Sequence, residues 1–268
     1  MKEIRIFDTL FAHAKYSTDF QESKYITWNR NSKDKDFAVF TDRSLEIAPT
    51  VDIKKKVAWL VESPQITPAQ YRWIKENYNL FDEVWTFKKD LLSINDKFKK
   101  VLLGGCWIKP EDQKIYPKSK NISIIASPKN MTRGQSLRHY VIYNYKDKID
   151  VMGRGYKPID YKLMGLKDYR YHICIENCKE DYYFTEKLID CFMTGTIPIY
   201  YGCPSIGEIF NLDGMIIFDK LNDLENIIHD GLNSALYESK MDAIKDNFER
   251  AKNYLITEDY IAKNILGI

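Results

Sequence analysis

Short runs of β-branched and aromatic residues alternate with amphipathic stretches along this chain, and that alternation leaves few folds open. Strand patterns fall at residues 3–7, 37–40, 57–61, 83–87 and 101–103. They recur at 122–126, 149–152, 171–175, 197–201 and 215–218. Helical patterns fall at 68–78, 133–145 and 185–193, and dominate from residue 221 onward. Strands separated by helices need crossover connections, which predicts parallel sheets. The run Val57-Ala58-Trp59-Leu60-Val61 is apolar on both faces, as a strand covered on both sides must be. Thr67 followed by Pro68 predicts a capped helix start.

Residues 108–120 turn polar and carry Pro110 and Pro117, so they are the expected linker. The chain then divides into residues 1–112 and 113–268, with the last helices free to pack back on the first unit. The expected fold is α/β: two doubly wound, Rossmann-type domains facing across a cleft. Ligands in such folds sit beyond the carboxyl ends of the strands. That rule draws attention to Glu62, Gly153, Glu176 and Gly202.

Composition removes several function classes. Forty Lys and Arg against 38 Asp and Glu give a formal charge of +2, without the basic excess of a nucleic-acid binder. The longest apolar runs, 101–108 and 197–203, fall short of the ~20 residues of a membrane helix. Lys2, Glu3 and Arg5 stand where a signal peptide would be apolar, so a cytoplasmic protein is expected. Five cysteines (106, 174, 178, 191 and 203) read as free, packed thiols rather than a metal cluster. His13, His139, His172 and His229 are scattered and read as structural. Asp34-Lys35-Asp36 has a metal-binding D-x-D form but precedes its strand, so it reads as a solvated loop. No P-loop or dinucleotide fingerprint occurs, and Gly153-Arg154-Gly155 alone reads as a turn.

The stretch from Tyr171 to Phe218 differs from the rest. A buried strand runs into Glu176-Asn177, and a polar loop then leads to a helix opening on Thr185-Glu186-Lys187. A helix N-terminus with an adjacent lysine suits a diphosphate. Glu186 could accept from ribose hydroxyls, and Tyr183 offers a ring and a hydroxyl. A capped surface helix with solvated charges explains the same residues. The pattern by itself leaves both readings open.

Ile175-Glu176-Asn177-Cys178, Tyr183-Phe184-Thr185-Glu186-Lys187 and Ile197-Pro198-Ile199-Tyr200-Tyr201-Gly202 together resemble the signature of the α1,3/α1,4-fucosyltransferases, glycosyltransferase family ten. The departures are Ile for Phe, Cys for Ser and Tyr for Trp. Trp59-Leu60-Val61-Glu62-Ser63-Pro64 is similar to the family's acceptor-domain stretch. Residues 127–139 resemble the segment carrying its donor-phosphate arginine, with Arg138 the better match and Arg133 the rival. The resemblance covers residues 55–220; the first 50 residues match nothing in it.

The resemblance implies a GT-B architecture and an inverting transfer of fucose from GDP-fucose to a glycan hydroxyl, with an α1,3-type linkage. It implies Glu62 as general base. Arg138, Lys187 and the amides near Thr185 would balance the leaving diphosphate without a metal or other cofactor. Asn177, Tyr183 and Glu186 would hold sugar and ribose, and Glu176, Gly153 and Arg133 are further candidates. The implied partners are a nucleotide-sugar donor and a glycan acceptor. Two alternatives stand: another GDP-linked deoxyhexose as donor, or a non-catalytic nucleotide- or glycan-binding relative. Acceptor and oligomeric state stay open.

Overall fold

The computed structural model describes residues 1–8, 15–18 and 20–268; His13 lies outside them. The first half holds β1 (Lys2–Phe7), β2 (Ile26–Asn29), β3 (Phe37–Thr41), β4 (Lys55–Trp59), α1 (Pro68–Asn77), β5 (Glu83–Thr86), α2 (Lys89–Leu92) and β6 (Phe98–Lys100). Its six strands form one sheet in the order β2-β1-β3-β4-β5-β6, and every pairing is parallel.

The second half holds β7 (Lys120–Ile125), α3 (Arg133–Tyr145), β8 (Asp150–Met152), β9 (Tyr169–Ile175), α4 (Glu186–Phe192), β10 (Ile197–Tyr201) and β11 (Ile216–Ile217). It ends in α5 (Leu221–Asp230), α6 (Ser234–Ser239), α7 (Met241–Ala251) and α8 (Thr257–Ile261). Its five strands are again parallel, in the order β11-β10-β9-β7-β8. The α/β class with two doubly wound parallel sheets is therefore as expected.

The apolar positions explain the layering. In β9, Tyr171, Ile173 and Ile175 join one apolar cluster while Cys174 joins the cluster on the opposite face. A strand buried on both faces reads as a continuous apolar run, as this one does. Fully buried Trp59 and Trp85 pack edge to face in the first core, ring centroids 6.2 Å apart. Burying an aromatic side chain of that size contributes ~2–3 kcal/mol.

Three details depart from the sequence pattern. Strand β2 carries the short run Ile-Thr-Trp-Asn, too brief to stand out; Ile26 and Trp28 are buried by pairing with β1. The last strand of the first sheet lies at 98–100 rather than 101–103. Residues after Val101 leave the sheet and cross to the second half, where Gly104 bridges Thr185. Thr67 stands at the N-cap of α1, but its hydroxyl makes no cap bond and is buried without a partner. Its carbonyl instead accepts from the amides of Gln70 and Tyr71.

The chain's end reaches back to its beginning. Glu258 accepts from the amide and hydroxyl of Ser17 at 2.7 Å each and from the indole N–H of Trp28 at 3.0 Å. Ile261 and Ala262 join the first sheet's apolar core.

In each sheet the strand order reverses once, between β1 and β3 in the first and between β7 and β9 in the second. Neighbouring loops diverge there, which opens a crevice at the carboxyl ends of the strands. All five cysteines are buried and free, as expected.

Candidate active site

A cleft of about 480 Å³ opens at the reversal point of the second sheet. That volume lies within the range of small-molecule sites. Its walls come from the ends of β7 and β9, the turn after β8, and the first turns of α4. Arg138, Gly153, Glu186 and Lys187, all anticipated from the sequence, line it.

Arg138 sits on α3 and is 8% exposed. Its Nε and Nη2 donate to the Ile175 carbonyl at 2.9 and 2.6 Å, and Nη2 also donates to Asn177 Oδ1 at 3.0 Å. The guanidinium is thereby fixed against the end of β9. Its Nη1 has no hydrogen-bond partner among the described residues, which leaves a directed cationic donor for an anion in the cleft. α3 can approach this closely because Gly134 lacks a Cβ; one added there would meet the Glu176 carbonyl at 1.8 Å.

The turn after β8 needs its glycine too. Gly153 has φ +109°, and a Cβ would stand 2.1 Å from the Ala126 carbonyl.

Glu176 follows β9 directly, is fully buried, and organises the start of α4. Its Oε1 accepts from the Thr185 amide and its Oε2 from the Thr185 hydroxyl, both at 2.8 Å. The hydroxyl of Thr185 in turn accepts from the Lys187 amide at 3.4 Å. The amides of Thr185 and Lys187, expected to face a diphosphate, are therefore paired inside the protein. Lys187 Nζ lies 3.0 Å from Glu186 Oε1 and 3.7 Å from Glu176 Oε2. Burial raises the Glu176 carboxyl above its ordinary pKa, against the pull of Lys187.

Two charged residues in the cleft wall escaped the sequence reading. Lys162 Nζ bridges Glu186 Oε1 at 3.3 Å and Asp190 Oδ2 at 3.2 Å, and sits 4.8 Å from the Trp107 ring centre. Burial works against its charge, yet Asp190 and Glu186 hold it above the ordinary lysine value. Burial likewise works against a charged Glu186, but Lys187 and Lys162 hold it well below the carboxylate range. Asp190 Oδ1 accepts from the Trp107 amide at 2.7 Å. Asp190 lies one helical turn after Glu186, an i,i+4 spacing legible in the sequence. Lys162 arrives from a distant loop and leaves no such signal. His172, at the cleft floor, bonds Ser123 Oγ at 2.8 Å, and burial pushes it down to about 3. It is a neutral, structural histidine, as read.

Glu62 follows β4 at the carboxyl edge of the first sheet. It does not line the 480 Å³ cleft, but its carboxylate feels Lys187 and Glu186 across the gap. Burial raises it above the usual range, while Lys187, the Ser63 amide and Lys129 pull it back. A partly desolvated carboxylate of raised pKa is suited to taking a proton.

The remaining expected residues lie elsewhere. Tyr183 is 1% exposed and packs on Phe87, ring centroids 4.9 Å apart, within the first sheet's core. Asn177 supports Arg138 from outside the cleft lining. Arg133 is exposed, and its amide donates to Gln65 Oε1 at 2.8 Å, tying α3 to the Glu62 loop. Among the described residues no three His, Cys, Asp or Glu side chains gather as a metal-holding group.

Residues 115–229, which supply most of this cleft's lining, match the model of the Glycosyltransferase family 10 (fucosyltransferase) C-terminal region. The match covers less than half of the chain. The "Alpha-(1,3)-fucosyltransferase FucT" of Helicobacter pylori is 30% identical over 123 residues, which is 42% of this chain and 23% of that protein. The match thus spans less than a quarter of that relative's length. A crystal structure of an alpha1,3-fucosyltransferase with GDP superposes with a TM-score of 0.56 at 19% identity, over 91% of this chain and 81% of that one. A further alpha1,3-fucosyltransferase structure gives 0.51 at 18% identity, over 92% and 80%. At these identities the likeness is one of fold. It extends beyond residues 115–229 to nearly the whole chain and agrees with a GT-B-like arrangement. No helix among the described residues is long and apolar enough to cross a membrane.

Proposed function

We propose that this chain is a glycosyltransferase that moves fucose from GDP-fucose to a glycan hydroxyl, with inversion and without a metal. The observation that carries the reading is Arg138 and Lys187 converging on one cleft, in a segment that matches the family 10 model, with Glu62 of the first half within electrostatic reach of Lys187. The relative and the fold neighbours named above lend the donor and the sugar.

In this reading residues 1–112 form the acceptor side and residues 113–268 the donor side. GDP leaves with growing negative charge as the anomeric bond breaks. The free Nη1 of Arg138 and the ammonium of Lys187 balance that charge, the task a divalent cation performs in other transferases. Glu186, held ionised by Lys187 and Lys162, accepts from the ribose hydroxyls. Glu62 takes the proton of the acceptor hydroxyl as it attacks from the face opposite the leaving group. Glu176 and Asn177 act behind Lys187 and Arg138, as their contacts suggest.

The test is a thermal-shift series with GDP, UDP, ADP, GDP-fucose and GDP-mannose, with and without Mg²⁺. A ligand at a hundredfold its Kd stabilises by about 2.7 kcal/mol. Stabilisation by GDP and GDP-fucose without metal is expected. Stabilisation by GDP and GDP-mannose but not GDP-fucose transfers the reading to another donor. No shift with any nucleotide leaves a non-catalytic relative.

A further inference from the structure

The loop that carries Glu62 is held by a residue of the neighbouring strand. Asp42 follows β3 directly, is fully buried, and has φ 41°. This is the left-handed region, where a non-glycine residue is uncommon and strained. The conformation turns its carboxyl group under the next loop. Oδ1 accepts from the Val61 amide at 3.2 Å and the Glu62 amide at 3.3 Å, and Oδ2 lies 3.4 Å from the Glu62 amide. On the other side, the Tyr71 hydroxyl donates to the Glu62 carbonyl at 2.8 Å. The backbone of Glu62 is thus clamped at both its N–H and its C=O. The side chain accepts from the Ser63 amide, and the charges it feels, Lys187, Glu186 and Lys129, belong to the other half of the chain.

We propose that Asp42 is the positioning residue for Glu62: it fixes the Val61–Glu62 turn so that the Glu62 carboxylate is presented to the cleft. This rests on Glu62 acting as the base in the reaction proposed above. Strain at a buried acid is the kind of local cost that persists where geometry serves a function. Arg43, Glu62 and Tyr71 are the titratable or charged groups that face Asp42.

The experiment measures GDP release from GDP-fucose with N-acetyllactosamine as acceptor probe, alongside GDP affinity. Asp42→Ala removes both acceptor oxygens. It is expected to lower kcat at least tenfold, with KM for GDP-fucose and GDP affinity within twofold of the unsubstituted chain. Asp42→Asn keeps a side-chain oxygen for the amides and is expected to restore kcat to within about threefold. In a Glu62→Gln background, Asp42→Ala should cause no further loss, because a residue acting through another has nothing left to act on. Wild-type turnover by Asp42→Ala overturns the proposal, as does loss of GDP affinity in step with turnover, or failure of Asn to restore it. Full turnover by Glu62→Gln, or no GDP release by the unsubstituted chain, overturns the underlying functional reading instead.

Discussion

Glu176 receives both donors of Thr185, the amide on Oε1 and the hydroxyl on Oε2, each at 2.8 Å. This one buried carboxylate fixes where α4 begins and so where Lys187 points. Glu176→Ala would leave two buried donors unpaired and Lys187 with one carboxylate fewer. Unfolding in urea should show a loss of about 2–5 kcal/mol. GDP affinity should fall as well. A variant of unchanged stability would mean that α4 does not depend on this contact.

Arg138 uses three donor contacts to brace itself against Ile175 and Asn177 and keeps one nitrogen for the cleft. Lysine cannot reproduce that fork. Arg138→Lys is therefore expected to weaken GDP binding by roughly tenfold or more, although the charge is kept. Calorimetric titration with GDP measures it. Equal affinity in the lysine variant would reduce Arg138 to a non-directional charge.

Gly153 meets the Ala126 carbonyl so closely that a methyl group has no room, and its φ of +109° adds strain for any other residue. Gly153→Ala should cost about 2–4 kcal/mol of stability. The carbonyl it would displace belongs to the cleft wall, so GDP should bind more weakly too. An unfolding midpoint equal to that of the parent chain would show that the turn can relax.

Burial, with the nearby charge of Glu62, pushes Asp42 up to about 8. The folded chain therefore holds a proton there that the unfolded chain has released above its ordinary value of 3.8. Stability from this site is present below that value and is lost as the pH rises through about 8, at no more than about 1.4 kcal/mol per pH unit. Asp42→Asn removes the titration. Its stability relative to the parent should improve steadily between pH 5 and 8, read from paired urea curves. A difference independent of pH would place the Asp42 pKa near normal.

The alternating pattern determined the fold class, because a strand covered on both faces must be apolar throughout and parallel strands need crossovers. The Thr185-Glu186-Lys187 run drew attention to a segment that does reach the cleft wall, through Glu186 and Lys187, while Glu176, Asn177 and Thr185 stand behind that wall. Asp190 was available to the same reading, one turn after Glu186. Other parts of the site had no local signature. Lys162 pairs with Glu186 across 24 residues, and Asp42 reaches the Glu62 amide across 20. Tyr183, itself part of the signature, turns into the first sheet's core, where it packs against Phe87. The sequence by itself fixed which short segments carry charge at strand ends, a matter of local pattern. Only the tertiary structure decided which of those charges face the cleft and which are spent on one another. Burial and hydrogen-bond pairing are set by segments that meet only after both sheets have formed.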